Sequence, residues 1–213
     1  MAKEAKSSKE KHDKMVPKKW EGAFSLYQYS KNVVYYNWQT ILVIYLVVSV
    51  LGAATYPFAI AGNALSIIIS AIGSVAVTIA YLHSFKHKKI EVGKAVSMSW
   101  PLVVNMVILE ILVGLTLIAS FLALVIPFFF IAPRFAIANF YVIDKKMGAV
   151  DAYKASWEAT RGQLGKIYGI VGVNLLLALL FITIIGIPFA VYMLFFYSAA
   201  FAVLYKYIDG HEK

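Results

Sequence analysis

One six-residue motif occurs twice in this chain and limits how the chain can fold. The A-x-x-x-S-W of residues 95–100 returns at residues 152–157. Each copy follows a Lys-Lys pair and precedes a long apolar run interrupted by Ile-Pro-Phe. A weaker copy begins at Lys18-Lys19 and precedes an apolar run broken at Tyr56-Pro57-Phe58. We therefore predict three copies of one unit, each made of a basic patch, a short amphipathic helix and an apolar hairpin.

The predicted units cover about residues 20–85, 88–144 and 145–209. Each hairpin would contain two apolar runs that, as helices, span ~30 Å, the thickness of the hydrocarbon core of a bilayer. The six predicted spans are about 38–56, 64–83, 102–124, 127–143, 167–185 and 188–205. Apolar residues make up 61% of the chain, against roughly 45–50% in soluble domains. The predicted fold class is all-α: a polytopic membrane protein with six transmembrane helices in three hairpins, forming one membrane domain over residues 20–213.

Each hairpin is preceded by apolar residues at helical spacing, which predicts an amphipathic helix lying in the membrane interface. The three stripes are Trp20, Phe24, Tyr27 and Val34; Val92, Val96, Trp100 and Val103; and Val150, Tyr153, Trp157 and Leu164. Pro101 is predicted to bend the second stripe into the membrane, and Lys154 and Arg161 can snorkel from the third. We expect Trp20, Trp100, Tyr153 and Trp157 to face the lipid headgroups together with these two cations.

The distribution of charge predicts the orientation of the chain. The net charge is +9, and the lysines are confined to the termini and to the stretches between apolar runs. The predicted hairpin turns near 57–63, 123–127 and 184–188 carry no charge. By the positive-inside rule, both termini and all three amphipathic helices face the cytoplasm of a cell (inner) membrane.

The same distribution predicts the partners. Residues 1–19 hold seven lysines and almost no apolar residue, so we expect a disordered cytoplasmic tail. Because the positive charge lies in short stretches beside apolar runs, it suits anionic lipid headgroups and not nucleic acid. A protein partner or a second copy of the chain is also compatible with these surfaces.

Two charged residues fall inside the predicted spans. Of 20 basic and 11 acidic residues, only Glu110 and Arg134 do so. Counting nine residues from Pro101 and from Ile143 places both ~14 Å below the cytoplasmic interface, where isolated charges are costly and usually pair. Pro133 removes a helix hydrogen bond and frees the carbonyl of Phe129. Together with Asn174 of the fifth span, Glu110 and Arg134 are predicted to form an intramembrane polar centre.

This polar centre has two interpretations. It is either a gate or binding site for a proton or substrate, or a structural ion pair that fixes the register of the hairpin. A stripe of Ser66, Ser70, Ser74 and Thr78 in the second span either allows close helix packing or lines a hydrophilic path. His83 and His87 have metal-ligand spacing, but no Cys, Asp or Glu lies within a turn of them. Such histidines more often lie at the interface near the C-terminal end of a helix, where positive charge is favoured.

The sequence contains no pattern of an active site. It has no Ser/His/Asp set, no paired carboxylates and no HExxH. The chain has no cysteine, which rules out disulfides and thiolate metal sites. We therefore expect a protein that is not an enzyme and that needs no metal or cofactor.

The repeated unit resembles a known membrane domain. A Lys-Lys pair, an A-x-x-x-S-W motif and a hairpin with a proline at its turn resemble the six-span domain that lies N-terminal to some bacterial glycerophosphodiester phosphodiesterases, and stand-alone membrane families of the same build. The residues that carry the resemblance are Ala95, Ser99, Trp100, Pro127, Pro133, Ala152, Ser156, Trp157 and Pro188. It extends best over residues 88–208. The resemblance implies an architecture and no catalytic residues, because in those enzymes the chemistry belongs to a separate soluble domain.

Two functions follow as expectations. The first is a non-enzymatic membrane protein that organises lipid or a protein partner at the cytoplasmic leaflet. The second is a small transporter or channel that uses the polar centre of Glu110, Arg134 and Asn174.

Overall fold

The computed structural model describes residues 15–55, 59–123, 125–182 and 186–211, and every regular element in these ranges is helical. In these ranges the α-helices are α1 (Leu26–Tyr36), α2 (Trp38–Thr55), α3 (Ala59–Phe85), α4 (Val92–Ala123), α5 (Val125–Ile131), α6 (Ala138–Asp144), α7 (Ala149–Ala159), α8 (Leu164–Leu179), α9 (Gly186–Tyr197) and α10 (Ala200–His211). Short 3-10 turns, Ala132–Phe135 and Leu180–Ile182, follow α5 and α8. The predicted all-helical class is confirmed.

Five segments of the described chain are long and apolar enough to cross a membrane. They are Trp38–Thr55, Leu65–Phe85, Val92–Leu122, Leu164–Ile182 and Gly186–Gly210. Each coincides with one of the predicted spans, although the boundaries differ by several residues. The fold is therefore that of a multi-pass helical membrane protein, while the arrangement of six spans in three hairpins stays a prediction.

The predicted span over residues 127–143 is not one continuous α-helix. The chain there forms α5, then the 3-10 turn Ala132–Phe135, then α6. Pro133 stands at the start of the 3-10 turn, where its missing N–H and its ring prevent the α-helix from continuing. The carbonyl of Phe129, which Pro133 was predicted to free, accepts a hydrogen bond from the Tyr168 hydroxyl of α8.

Pro127 and Pro188 are each the third described residue of a helix, α5 and α9. The predicted turn at Gly62-Asn63 is wrong, because α3 begins at Ala59 and includes both residues. The other predicted turn residues 56–58, 124 and 183–185, and residues 1–14 of the predicted tail, lie outside the described residues.

The structure corrects two of the three predicted in-plane helices. The first helix begins at Leu26, not at Trp20, and Phe24 is 70% exposed ahead of it. The second does not exist as a separate element, because α4 runs unbroken from Val92 to Ala123 with Pro101 inside it. Membrane helices tolerate an internal proline when neighbouring groups satisfy the backbone polar atoms that it frees.

A helix, α7, is present where the third in-plane helix is predicted, but a different face is buried. Ala149, Ala152, Ser156 and Ala159 are buried, whereas Val150 is exposed. Leu164, predicted on the same face, begins α8. Small side chains form the contact face because α7 lies against both α6 and the 3-10 turn of residues 132–135.

The molecule has a packed end and an open end. Fully buried side chains concentrate in α1, the first half of α2, the second half of α3, α6 and α10, close to the lysine-rich segments. The other halves of the spans expose large apolar residues, such as Val50, Ile67, Leu122 and Ile182. Such surface requires an apolar solvent, which a bilayer provides.

The spans divide into an outer and an inner set. In the outer helices α2, α4 and α8, 17% of the span residues are buried, against 56% in α3 and 39% in α9–α10. The inner set also includes α6, in which Phe140 to Ile143 are all buried. Within each predicted unit the second apolar run is therefore the inner one.

In each predicted unit, the helix that contains the predicted amphipathic segment packs on the inner element of another unit. Helix α4 packs along α3, α7 packs on α6, and α1 packs on α9 and α10. The last contact joins the beginning of the described chain to its end, so the three contacts close into a ring.

Candidate functional site

Glu110 lies on α4 and lines a cavity of about 460 Å³ between α3, α4 and the segment 135–139. The walls include Ser74, Leu109, Phe135 and Asn139. No Lys, Arg or His of the described chain forms an ion pair with Glu110. Glu110 is exposed, so its carboxylate lies at the open side of this cavity and not beside a protein cation.

Arg134 does not pair with Glu110, so the predicted ion pair is wrong. Its guanidinium lies 5.4 Å from the centre of the Trp157 ring on α7, and its Nη1 is buried without a hydrogen bond to any described residue. Its carbonyl accepts hydrogen bonds from Ser156 Oγ at 2.7 Å and Thr160 Oγ1 at 3.3 Å. The predicted position of Arg134 assumed a continuous helix. The 3-10 turn interrupts that helix and brings Arg134 against α7.

Asn174 is likewise separate from Glu110. Its Nδ2 donates to the Ile170 carbonyl of its own helix at 3.0 Å. Asn174 lines neither the Glu110 cavity nor the second cavity described below. The predicted polar centre of Glu110, Arg134 and Asn174 is therefore not assembled, and Glu110 alone faces the first cavity.

A second cavity, of about 330 Å³, adjoins the first. Ser74, Ala136 and Asn139 line both cavities. Ser70 and Thr78 of the predicted polar stripe line the second one. Along this part of α3 the stripe therefore borders a cavity.

Hydroxyl groups form a chain across the second cavity. Tyr45 Oη lies 3.2 Å from Tyr81 Oη. The Tyr81 hydroxyl lies 2.7 Å from Ser198 Oγ and donates to it, and Ser198 Oγ donates to the Phe195 carbonyl at 2.6 Å. This chain connects α2, α3 and the α9–α10 junction, and the sequence analysis missed it because the residues are far apart in sequence.

Gly73, which is next to Ser74 of the predicted polar stripe, allows α2 and α3 to pack closely. A Cβ atom added to Gly73 would lie 2.4 Å from Val48 Cγ2. Gly73 is therefore the position at which the two helices approach most tightly among the described glycines. The two interpretations of the stripe thus apply to neighbouring residues: Gly73 allows the contact, and Ser70 and Ser74 face the cavity.

The aromatic residues predicted to face lipid differ in their surroundings. Trp100 is 60% exposed. Trp20 packs on Tyr207, with ring centres 5.9 Å apart. The Tyr153 ring stacks on Phe135 at 4.5 Å.

The remaining predicted interfacial residues lie on or just after α7. The Tyr153 hydroxyl lies 3.0 Å from Thr116 Oγ1 of α4, and Trp157 is partly buried beside Arg134. Lys154 is exposed, and so is Arg161, which lies 3.5 Å from Glu158. Tyr153 and Trp157 thus hold α7 against the protein, and the cations face outwards.

The two histidines do not lie together in a metal site. Nδ1 of His83 lies 2.9 Å from the Ile79 carbonyl, and the His87 ring packs edge-on against Tyr36 at 5.7 Å. Within the described ranges, no three His, Cys, Asp or Glu side chains are grouped so as to hold a metal ion.

Sequence analysis also missed two ion pairs at the packed end. Lys206 Nζ lies 2.6 Å from Asp144 Oδ2, and Lys145 Nζ lies 2.6 Å from Asp209 Oδ1. Tyr205 also donates to Asp144 Oδ2, at 3.0 Å. Neighbouring charges of opposite sign at the end of α6 thus meet their complements on α10, a match visible in the sequence only once these helix ends are known to be adjacent.

Asn37 is a further structural residue that the sequence did not reveal. Its Nδ2 donates to Ser84 Oγ at 2.9 Å and to the Lys88 carbonyl at 3.1 Å. Its Oδ1 accepts from the Ile90 amide at 3.1 Å. This buried amide fixes the loop between α3 and α4, and no local pattern distinguishes it from a surface asparagine.

Comparisons of the chain with protein-family models, curated proteins and solved structures found no match. Fold and site together define a class, a multi-pass helical membrane protein with a basic end and two adjoining cavities between its spans.

Proposed function

We propose that this is a non-enzymatic integral membrane protein that organises anionic lipid at the cytoplasmic leaflet of the cell membrane. The observation that carries the proposal is the surface of the packed end. Its exposed basic residues are Lys18, Lys19, Lys86, Lys88, Lys89, Lys94, Lys145, Lys146, Lys154 and Arg161. Only four exposed acidic residues accompany them in the described chain outside the spans: Glu21, Glu91, Asp151 and Glu158.

Exposed aromatic residues accompany these cations, and Trp38 lines a surface pocket together with Lys89. Tyr35 is 66% exposed, Trp38 41% and Trp100 60%. Tryptophan and tyrosine prefer the headgroup level of a bilayer, and each nearby Lys or Arg contributes about 1 kcal/mol of attraction to an anionic surface. A protein with this surface would concentrate anionic lipids around itself.

We also propose the six crossings that the sequence predicts. Helix α4 leads away from the basic loop of residues 86–91, yet Asp144 at the end of α6 pairs with Lys206 near the end of the chain. Trp20, ahead of α1, contacts Tyr207 at the same end. These contacts support a return crossing made by α5, the 3-10 turn and α6, with both termini on the cytoplasmic side. The three-unit build and the likeness to the phosphodiesterase-associated domain belong to the same proposal.

Lipid retention tests the proposed function. The full-length protein, purified from a mixed membrane, should carry anionic lipid in excess of the membrane average, and the excess should fall as salt screens the charges. Replacing Lys86, Lys88, Lys89 and Lys146 by Gln should reduce that excess at least about tenfold, since four charges near the surface are lost. Native mass spectrometry of the retained lipids measures both effects.

The control variant removes negative charges instead of positive ones. Glu91→Gln with Asp151→Asn removes exposed acidic groups and should leave the anionic excess unchanged or larger. Equal retention by the wild type and the fourfold lysine variant would refute the proposal.

A transporter or channel is the second candidate, and the cavity beside Glu110 is the observation that favours it. Arg134 and Asn174 take no part in this version, because neither lines the cavity. Solute flux into proteoliposomes that is lost in Glu110→Gln would favour it over the lipid function.

A further inference from the structure

The two adjoining cavities contain polar groups that the protein itself leaves without partners. Serine and threonine in apolar helices usually donate to the carbonyl four residues back, and Ser84, Ser99 and Thr116 do so at 3.0, 2.8 and 2.8 Å. Ser70 and Ser74 make no hydrogen bond to any described residue. Both line the second cavity, and Ser74 lines the first as well.

Asn139 adds an amide between the two cavities. Its Oδ1 accepts from the Phe140 amide at 3.0 Å, and its Nδ2 has no partner among the described residues. Polar groups in apolar surroundings are costly unless they are hydrogen-bonded. Ser70 and Ser74 are exposed and Asn139 is partly buried, so all three groups are accessible to a polar ligand.

The charge of the walls selects the kind of ligand. Glu110 is the charged side chain on the walls of the two cavities, and no Lys, Arg or His of the described chain lines either one. A carboxylate inside a membrane span needs a neutralising partner. With no protein cation available, a bound cation can supply the charge.

The apolar walls fit the rest of such a ligand. Tyr45, Tyr81, Phe140 and Phe201 line the second cavity, and Phe135 lines the first. Aromatic faces attract ammonium groups as well as apolar bodies. The volumes of about 330 and 460 Å³ lie in the range of ordinary small-molecule sites.

We propose that the adjoining cavities between α2, α3, α4, α6 and α10 form a binding site for an organic cation, an ammonium group carried by an apolar body, with Glu110 as its counter-ion. The ammonium group lies against Glu110, Ser74 and Asn139, and the apolar body occupies the aromatic part of the second cavity. This site is independent of the basic surface that would hold anionic lipid, so either function can fail without the other.

The test uses three ligands of nearly equal shape and different charge. Benzyltrimethylammonium is the cation, neopentylbenzene is its neutral isostere, and benzylsulfonate is an anion of similar size. Binding to the full-length protein in nanodiscs of zwitterionic lipid is measured by equilibrium dialysis, with empty nanodiscs subtracted. We expect saturable binding of the cation, at least about tenfold weaker binding of the neutral isostere, and no saturable binding of the anion.

Two matched variants locate the site. Glu110→Gln keeps the side-chain shape and should weaken binding of the cation about tenfold or more, since one charged hydrogen-bonded contact is lost. Asp151→Asn removes one exposed carboxylate of α7, away from both cavities, and should leave the affinity unchanged. A Glu110→Asp variant keeps the charge and should bind with intermediate affinity, which separates loss of charge from loss of fold.

Two results would overturn the proposal. Equal affinity for the cation and its neutral isostere would mean that the cavities are an apolar crevice filled by lipid. Cation binding that survives Glu110→Gln in a variant with wild-type thermal unfolding would place the cation elsewhere.

Discussion

At the scale of single residues, three buried serines have different hydrogen-bond partners: the two motif serines, Ser99 and Ser156, and Ser30 of α1. Ser30, Ser99 and Ser156 are all completely buried. Ser30 Oγ donates to the Phe196 carbonyl at 2.6 Å, and Ser156 Oγ to the Arg134 carbonyl at 2.7 Å. Ser99 donates only within its own helix. Ser30 and Ser156 therefore each connect one predicted unit to another, and Ser99 does not.

This difference predicts unequal costs for the same substitution. Ser30→Ala and Ser156→Ala should each lower the free energy of unfolding by about 1–2 kcal/mol, because each removes a hydrogen bond between elements and leaves a buried carbonyl less satisfied. Ser99→Ala should cost less than about 0.5 kcal/mol, because its acceptor also receives helical bonds. Thermal unfolding in detergent ranks the three variants, and a Ser99→Ala variant as unstable as Ser30→Ala would contradict the assignment.

The sequence could predict the motif but not which of its residues is buried. The large residues Val150, Tyr153 and Trp157 define the more visible stripe, yet the buried face of α7 consists of alanines and Ser156. Apolar periodicity indicates that a helix has two faces, whereas the partner decides which face is covered. The Glu110–Arg134 pair failed for a related reason, since equal distance along the chain implies equal depth only when both helices are continuous.

At the scale of elements, the contact between α2 and α3 depends on one missing side chain. Val48 occupies the space beside Gly73, with its Cγ2 2.4 Å from where a Cβ would stand. Gly114 of α4 has nothing within 4 Å of the same position. The chain thus has one glycine in a span with no room for a side chain, Gly73, and one in a span with free space around it, Gly114.

Gly73→Ala should therefore destabilise the protein by about 1–3 kcal/mol, as overpacking of a fixed contact does. Gly114→Ala should be neutral or stabilising by up to about 1 kcal/mol, because alanine favours a helix. Combining Gly73→Ala with Val48→Ala should recover most of the loss in a thermal unfolding assay. If both single glycine variants unfold alike, the contact is looser than the structure indicates.

Most elements were predictable from hydropathy alone, because an uncharged run of about twenty residues has few alternatives to a membrane helix. The exceptions have local causes. Pro133 divides α5 from α6, whereas Pro101 leaves α4 intact. One proline begins a 3-10 turn and the other is accommodated within a helix. Sequence alone does not separate the two outcomes, since the neighbours that satisfy the freed backbone groups come from distant segments.

At the scale of the whole molecule, the contacts require the ends of α6 and α10 to lie on the same side. The paired ions Asp144–Lys206 and Lys145–Asp209 connect them. The exposed residues Lys94 and Glu158 are separated by α4 and by the return path through α5 and α6. They lie on one side of the membrane only if that path crosses it.

Cysteine labelling tests this topology, because the natural chain has no cysteine. Lys94→Cys and Glu158→Cys should react with an impermeant maleimide only after cells are lysed. Gly186→Cys, in the uncharged turn predicted at residues 184–188, should react in intact cells. Labelling of one of the first two in intact cells would show an odd number of crossings between them, and labelling of both would invert the orientation.

The contact between α1 and α9, which closes the ring, can form only late in the synthesis of the chain. Ser30 of α1 finds its acceptor 166 residues further along the chain, at Phe196. At about 5–20 residues per second, that acceptor leaves the ribosome on the order of 10 s after the helix that needs it. Helix α1 can pack on α2 and α3 early, but during this interval its partners in α9 and α10 do not yet exist. Its docking is therefore complete only when translation has reached the last helices of the chain.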